Sequence, residues 1–222
     1  MSSKLIAIAG DTGVGKSSSL KYLDPKETYI INVAGKELPF KGSSKLYNPE
    51  NKNYRVIETA GDVLIHLNTL SAKAPEIKNI IIEDANYLMG FNMVDRATET
   101  GYTKFSLMAQ AMKNLVQGAK KLRDDITVVY MSHIEEIEDS GDIVGYKLKT
   151  AGKLVDKELK LDGLFTVVIY AVPETKGEVT SYNFYTNRFK KYPAKSPMGM
   201  FPEIKIENNL KTVIETVNKY YE

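Results

Sequence analysis

The chain has 222 residues, 30 Lys plus Arg against 28 Asp plus Glu for a net charge of +2, and 43% hydrophobic residues. This balance excludes intrinsic disorder and collagen-like structure, and so small a net charge does not by itself announce a nucleic-acid binder. Cysteine is absent, which excludes disulfides, zinc–thiolate centres and thiol nucleophiles.

No apolar run approaches the roughly 18 residues of a membrane span. The apolar stretch at the N-terminus is too short for a secretory leader, so a cytoplasmic location is expected. Leu5–Ala9 reads as a short buried strand that runs straight into a glycine loop. A short helix is expected from Ser17 to Leu23, stopped by Asp24-Pro25. Thr28–Val33 is a second strand, and residues 34–53 are rich in Lys, Gly, Ser, Asn and Pro and read as one long functional or mobile loop. Tyr54–Ile57 is a short strand, and Asp62–Ala72 an amphipathic helix with Val63, Leu64, Leu67 and Leu70 on one side. Asn79–Ile82 is a strong strand ending in Glu83-Asp84. Residues 85–104 read as a second polar loop before a long helix over about Thr103–Asp124. Ile126–Met131 is a strand ending in Ser132-His133, and the turn at 139–142 joins two extended segments into a hairpin. Strands at Phe165–Tyr170 and Ser181–Tyr185 and a helix over Asn208–Tyr221 complete the chain. Strands that alternate with helices predict right-handed βαβ units in a parallel sheet. The expected fold is therefore one α/β domain over 1–222, mostly parallel and flanked by helices, with a β-rich C-terminal third.

The sharpest signal is Gly10-Asp11-Thr12-Gly13-Val14-Gly15-Lys16-Ser17, followed by Ser18. It satisfies every fixed position of G-x-x-x-x-G-K-S/T and lies between a strand and a helix start, where a phosphate loop works. Glycines let backbone N–H groups turn inward around phosphates, Lys16 is placed to reach the β- and γ-phosphates, and the Ser17 hydroxyl to hold Mg²⁺. The loop therefore predicts a nucleoside triphosphate with Mg²⁺. Such a site also needs carboxylates at a neighbouring strand end, and Glu83 and Asp84 supply two. Successive strand residues face opposite ways, so the two have different jobs, although the alternation can relax at a strand end; Glu83 is assigned to the metal and Asp84 to the water, with the two roles exchangeable. Glu37 and Glu58 also follow strands and are weaker candidates for the base. His133 follows another strand and is a candidate γ-phosphate sensor; His66, within the amphipathic helix, reads as structural.

Guanine recognition through N-K-x-D is not supported, because Asn51-Lys52-Asn53-Tyr54 and Asn218-Lys219-Tyr220-Tyr221 lack the Asp. Four scattered arginines, Arg55, Arg96, Arg123 and Arg188, weaken a phosphotransferase reading, since such enzymes clamp phosphoryl groups with several guanidinium forks. The remaining reading is an ATPase whose hydrolysis drives or gates another event.

Several ordered segments carry a resemblance: residues 82–89, Gly101–Phe105, Met131–Glu135, Lys149–Lys153, Asp162–Phe165 and Ala194–Phe201. With the phosphate loop, they make the chain similar to a family of bacteriophage ATP-binding proteins with a RecA-like AAA core, linked to single-strand annealing. The resemblance implies ATP hydrolysis with Mg²⁺, single-stranded DNA, self-assembly into a homo-oligomer, and phage replication or recombination proteins as partners. It also implies a basic residue completing a neighbour's site in trans, with Lys149, Lys153 and Lys195 as candidates. The family has Asp where this chain has Glu83, and the longer carboxylate shifts the metal geometry. Two basic segments, 147–160 and 188–205, are candidates to meet phosphates. Loops 34–53 and 85–104 carry Tyr47, Phe91 and Tyr102 as candidate base-stacking residues. A nucleotide-gated adaptor with little turnover and a small-molecule phosphotransferase stay open as alternatives.

Overall fold

Apolar runs buried on both sides form parallel strands, because only a sheet covered on both faces keeps such side chains from water. The computed structural model describes residues 2–222. It places β1 at Lys4–Ala9, β2 at Thr28–Asn32, β3 at Tyr54–Val56, β4 at Asn79–Glu83 and β5 at Thr127–Ser132. Strands β6 (Ile134–Asp139) and β7 (Asp142–Leu148) form the hairpin, followed by β8 (Val167–Lys176), β9 (Val179–Tyr185) and β10 (Lys205–Glu207). The helices are α1 (Ser43–Leu46), α2 (Ala60–Lys73), α3 (Tyr87–Asp95), α4 (Thr103–Ala119), α5 (Lys153–Glu158) and α6 (Leu210–Tyr221).

The eight-stranded sheet has the order β10-β9-β8-β1-β5-β4-β2-β3. It is parallel from β8 to β3 and antiparallel where β9 meets β8 and β10. This is the expected α/β arrangement of a P-loop NTPase, with the β-rich C-terminal third supplying the antiparallel edge. The hairpin β6–β7 stands apart as its own two-stranded sheet.

Alternation along each strand sorts the core into two layers. Ala7, Tyr29, Ile31, Ile80, Ile82, Val128 and Tyr130 point to one face, where α2 and α4 bury Val63, Leu67, Met108, Met112 and Leu115. Ile6, Ile8, Ile30, Ile81, Val129 and Met131 point to the other, covered by Leu20 and by Leu210, Val213, Ile214 and Val217 of α6. Helix α2 starts where Thr59 accepts a hydrogen bond from the Asp62 backbone N–H, and α6 where Asn209 does the same for Thr212.

Several boundaries differ from the sequence expectations. The segment after the phosphate loop is a six-residue 3₁₀ turn, Ser17–Tyr22, rather than an α-helix, and Leu23 is already extended before Asp24-Pro25. Residues 34–53 enclose the one-turn helix α1 and are pinned by Asn48, Asn51 and Asn53, whose side chains bond local backbone groups. Residues 85–104 are not a polar loop: α3 occupies their first half. Helix α4 ends at Ala119 rather than Asp124. Strand β8 starts at Val167 and runs on to Lys176, making a long hairpin with β9. No helix among the described residues is long and apolar enough to cross a membrane.

Two residues of α2 give a test of the layer assignment: Leu67 is fully buried and Ile65 is 66% exposed. Leu67→Ala should destabilise the protein by about 2–5 kcal/mol and Ile65→Ala by less than about 0.5 kcal/mol, read from urea unfolding midpoints.

Candidate nucleotide-binding site

In an open parallel sheet, ligands bind outside the carboxyl ends of the strands. The carboxyl ends of β1, β2, β4 and β5 here border a cleft of about 350 Å³, lined by residues 12–18, Asn32, residues 36–39, Glu83, Asp84, His133 and Tyr182. The predicted phosphate loop forms its floor. Gly10 and Gly15 are needed for this shape. A Cβ on Gly10 would lie 2.9 Å from the Ala171 carbonyl oxygen, and Gly15 has φ +91° with the Tyr182 ring packed on it. Because only a short 3₁₀ turn follows, the cradle comes from the loop amides and Lys16 rather than from a long helix dipole.

Lys16 is buried, and its Nζ donates to the carbonyl oxygens of Gly10 (2.9 Å) and Asp11 (2.8 Å). Burial pushes its pKa below the ordinary lysine value, opposed by the nearby carboxylates Glu83, Asp84 and Asp11. Two of its three N–H donors are thus used by the loop, which aims the ammonium along the loop's inner wall.

The strand carrying Glu83 and Asp84 is not the immediate neighbour of β1, as the sequence reading assumed; β5 lies between them. Glu83 still reaches the loop: the Ser17 hydroxyl donates to its Oε1. Asp84 does not turn to the opposite face. At φ +54° its backbone leaves the strand conformation, and both carboxyl groups enter the same cleft. The turn is stitched to β5, since Ala85 N–H donates to the Met131 carbonyl (2.7 Å) and the Tyr130 hydroxyl to the Ala85 carbonyl (3.2 Å). Asn86 Oδ1 accepts from the His133 N–H (3.0 Å). His133 Nε2 lies 3.2 Å from Asp84 Oδ1, and its Nδ1 lies 3.5 Å from the Thr12 hydroxyl.

The two carboxyls are pushed in opposite directions. Glu83 is raised to about 7, chiefly by burial, against the opposing hydrogen bond from Ser17. For Asp84 burial also acts upward, but hydrogen bonds from His133 and Lys36 hold it below the ordinary aspartate value. Lys36 Nζ sits 2.5 Å from Asp84 Oδ2. The donor set fits Mg²⁺: a serine hydroxyl beside a carboxyl group whose other oxygen, Glu83 Oε2, is buried with no hydrogen-bond partner among the described residues. Mg²⁺ commonly takes one or two protein carboxylates and completes its shell with water and substrate phosphate.

Other predicted residues fall elsewhere. Glu37 lines the cleft but is exposed, whereas Glu58 does not line it. Lys149, Lys153 and Lys195 do not line the cleft of their own chain. In the basic segments, Lys147 pairs with Asp156 and Glu135, and Lys205 with Glu174. Tyr47 is buried against Phe40 and cannot stack on a base; Phe91 packs on Tyr87, and Tyr102 stays exposed. His66 packs on Tyr29, as a structural residue would. The residues that sequence reading missed are Lys36, Asn32 and Tyr182. Lys36 was within reach of it, because a lysine four residues beyond a parallel strand's carboxyl end belongs to the binding rim; nothing local singles out Asn32 or Tyr182.

A family model described as an AAA domain matches residues 2–198, and the chain belongs to that family. A search of curated proteins finds no match.

The raised Glu83 carboxyl makes stability depend on pH. Between its ordinary value of 4.5 and about 7, Glu83 holds a proton when folded but not when unfolded. Its contribution is therefore complete below pH 4.5 and is lost as pH rises through 7. Relative to Glu83→Gln, the wild-type protein should lose stability across this window, by at most about 3 kcal/mol. Urea unfolding of both proteins over that pH range reads the difference.

Proposed function

We propose that the chain is a Mg²⁺-dependent ATPase that handles single-stranded DNA in recombination, repair or replication. The observation that carries the ATPase part is the convergence of Lys16, the Ser17–Glu83 pair and the Asp84–His133 pair on one cleft. Membership of the AAA family supports nucleotide binding. The DNA part rests on the family-like segments at 82–89, 131–135 and 194–201.

In this reading the loop amides and Lys16 bind the β- and γ-phosphates. Ser17 and Glu83 would hold Mg²⁺, which supplies electrostatic stabilisation of phosphate charge. Glu83 must give up its proton to do so. Asp84, rigidly held, orients the attacking water toward the γ-phosphorus, and His133 links that carboxylate to Thr12 at the loop tip. Loss of the γ-phosphate is thereby felt at the end of β5, which leads directly into the hairpin β6–β7. Self-assembly into a homo-oligomer, with Lys149, Lys153 or Lys195 reaching a neighbour's site, belongs to the same proposal, as do phage replication or recombination proteins as partners.

One observation favours slow turnover and keeps the nucleotide-gated adaptor as a second reading. Asp84 is engaged by two basic groups and held below the ordinary aspartate range, which makes it a weak proton acceptor. The phosphotransferase reading loses ground, because no arginine lines the cleft.

Steady-state ATP hydrolysis should rise on adding single-stranded DNA and fall by at least about 100-fold in Lys16→Ala. A rate indifferent to DNA would overturn the coupling; tight ATP binding with negligible hydrolysis would favour the adaptor.

A further inference from the structure

The cleft contains a second lysine that the phosphate-loop motif does not account for. Lys36 lies in the segment after β2, its side chain is 60% exposed, and its ammonium rests on the buried carboxylate of Asp84. The backbone that presents it is fixed. Asn32, buried at the end of β2, donates from Nδ2 to the Lys36 carbonyl (2.6 Å) and to the Tyr54 hydroxyl (2.9 Å) and accepts from the Gly35 N–H (2.9 Å). A backbone held by local hydrogen bonds thus carries a long, solvent-facing side chain whose charged tip reaches Asp84. Its ion-pair partner, Asp84, has a second partner in His133, so the carboxylate is not abandoned if the lysine leaves. Lys36 shares the cleft wall with Lys16, Ser17 and Glu83.

We infer that Lys36 is a second phosphate cation supplied by the same chain, which moves from Asp84 to the terminal phosphate when a nucleoside triphosphate enters. The inference rests on the reading that the cleft takes ATP and deepens it by naming the group that distinguishes triphosphate from diphosphate. A triphosphate brings concentrated negative charge to the Asp84 end of the cleft, and an ammonium exchanges a carboxylate for phosphate at little cost. The move leaves Asp84 Oδ2 open to a water while Oδ1 stays on His133. With a diphosphate, nothing draws the lysine away, and the Asp84 pair persists. Lys36 therefore ties the availability of the water-orienting carboxylate to the presence of the γ-phosphate.

The test is calorimetric titration of wild type, Lys36→Gln and Lys36→Arg with ADP and with the non-hydrolysable triphosphate analogue AMP-PNP, both with Mg²⁺. Lys36→Gln should lose about ten- to a hundredfold in AMP-PNP affinity, the worth of one charge-assisted contact, while ADP affinity stays within about twofold. Lys36→Arg should retain most of the triphosphate preference. Acylation of lysines followed by mass spectrometry gives a second readout: Lys36 should be protected by AMP-PNP and not by ADP. An equal loss for both nucleotides would make Lys36 a structural partner of Asp84 only, and an unchanged ratio in Lys36→Gln would equally overturn the inference. Wild-type protein that binds neither nucleotide would overturn the ATP reading itself, and this inference with it.

Discussion

Three ionisable side chains, Lys16, Glu83 and Asp84, lie out of water at the carboxyl ends of the strands, and the site depends on how each is compensated. Leaving any one unpaired costs several kcal/mol. The loop carbonyls of Gly10 and Asp11 hold Lys16, the Ser17 hydroxyl holds Glu83, and Lys36 with His133 holds Asp84. These partners come from three separate parts of the chain, the phosphate loop, the segment after β2 and the end of β5, and meet the two carboxyls at the end of β4. Electrostatic compensation, rather than apolar packing, thus fixes how the strand ends are arranged around the cleft. It also explains why Asp84 tolerates a left-handed backbone that costs about 1–3 kcal/mol.

The two carboxyls show how one environment yields two chemistries. Glu83, whose burial outweighs the hydrogen bond from the neutral Ser17 hydroxyl, retains its proton up to about pH 7, whereas Asp84, hydrogen-bonded by two basic groups, stays ionised. Glu83 is thus the carboxyl that gains most from an arriving cation, and Asp84 the one that already holds its charge. This division agrees with Glu83 as metal residue and Asp84 as water-orienting residue.

Much of this was legible in the sequence, for physical reasons that differ by region. Runs such as 80–82 and 128–131 are apolar at every position, so their burial on both faces of a parallel sheet could be read directly. The phosphate loop announces itself through glycines whose backbone geometry no other residue supplies. The 3₁₀ turn after Lys16 was not legible, because Ser17–Tyr22 is compatible with either helix type and tertiary packing of Leu20 decides. Strand order was hidden too, since nothing local says that β5 inserts between β1 and β4. The reach of Asp84 into the cleft depends on one positive φ, and alternation along an ideal strand predicts the opposite. The place of Lys36 on the binding rim was legible from its distance beyond β2, but its pairing with Asp84 was not.

In the proposed site, buried Glu83, bonded to Ser17, is the carboxyl that loses its proton to receive Mg²⁺ with nucleotide. Proton release on binding tests it most directly, by titrating Mg²⁺-saturated ADP into the protein at pH 6.5 in buffers of different ionisation enthalpy. Wild type should release most of one proton per nucleotide bound, and Glu83→Gln almost none. Equal release from both proteins, or none from wild type, would contradict the assignment of Glu83 as the metal carboxylate.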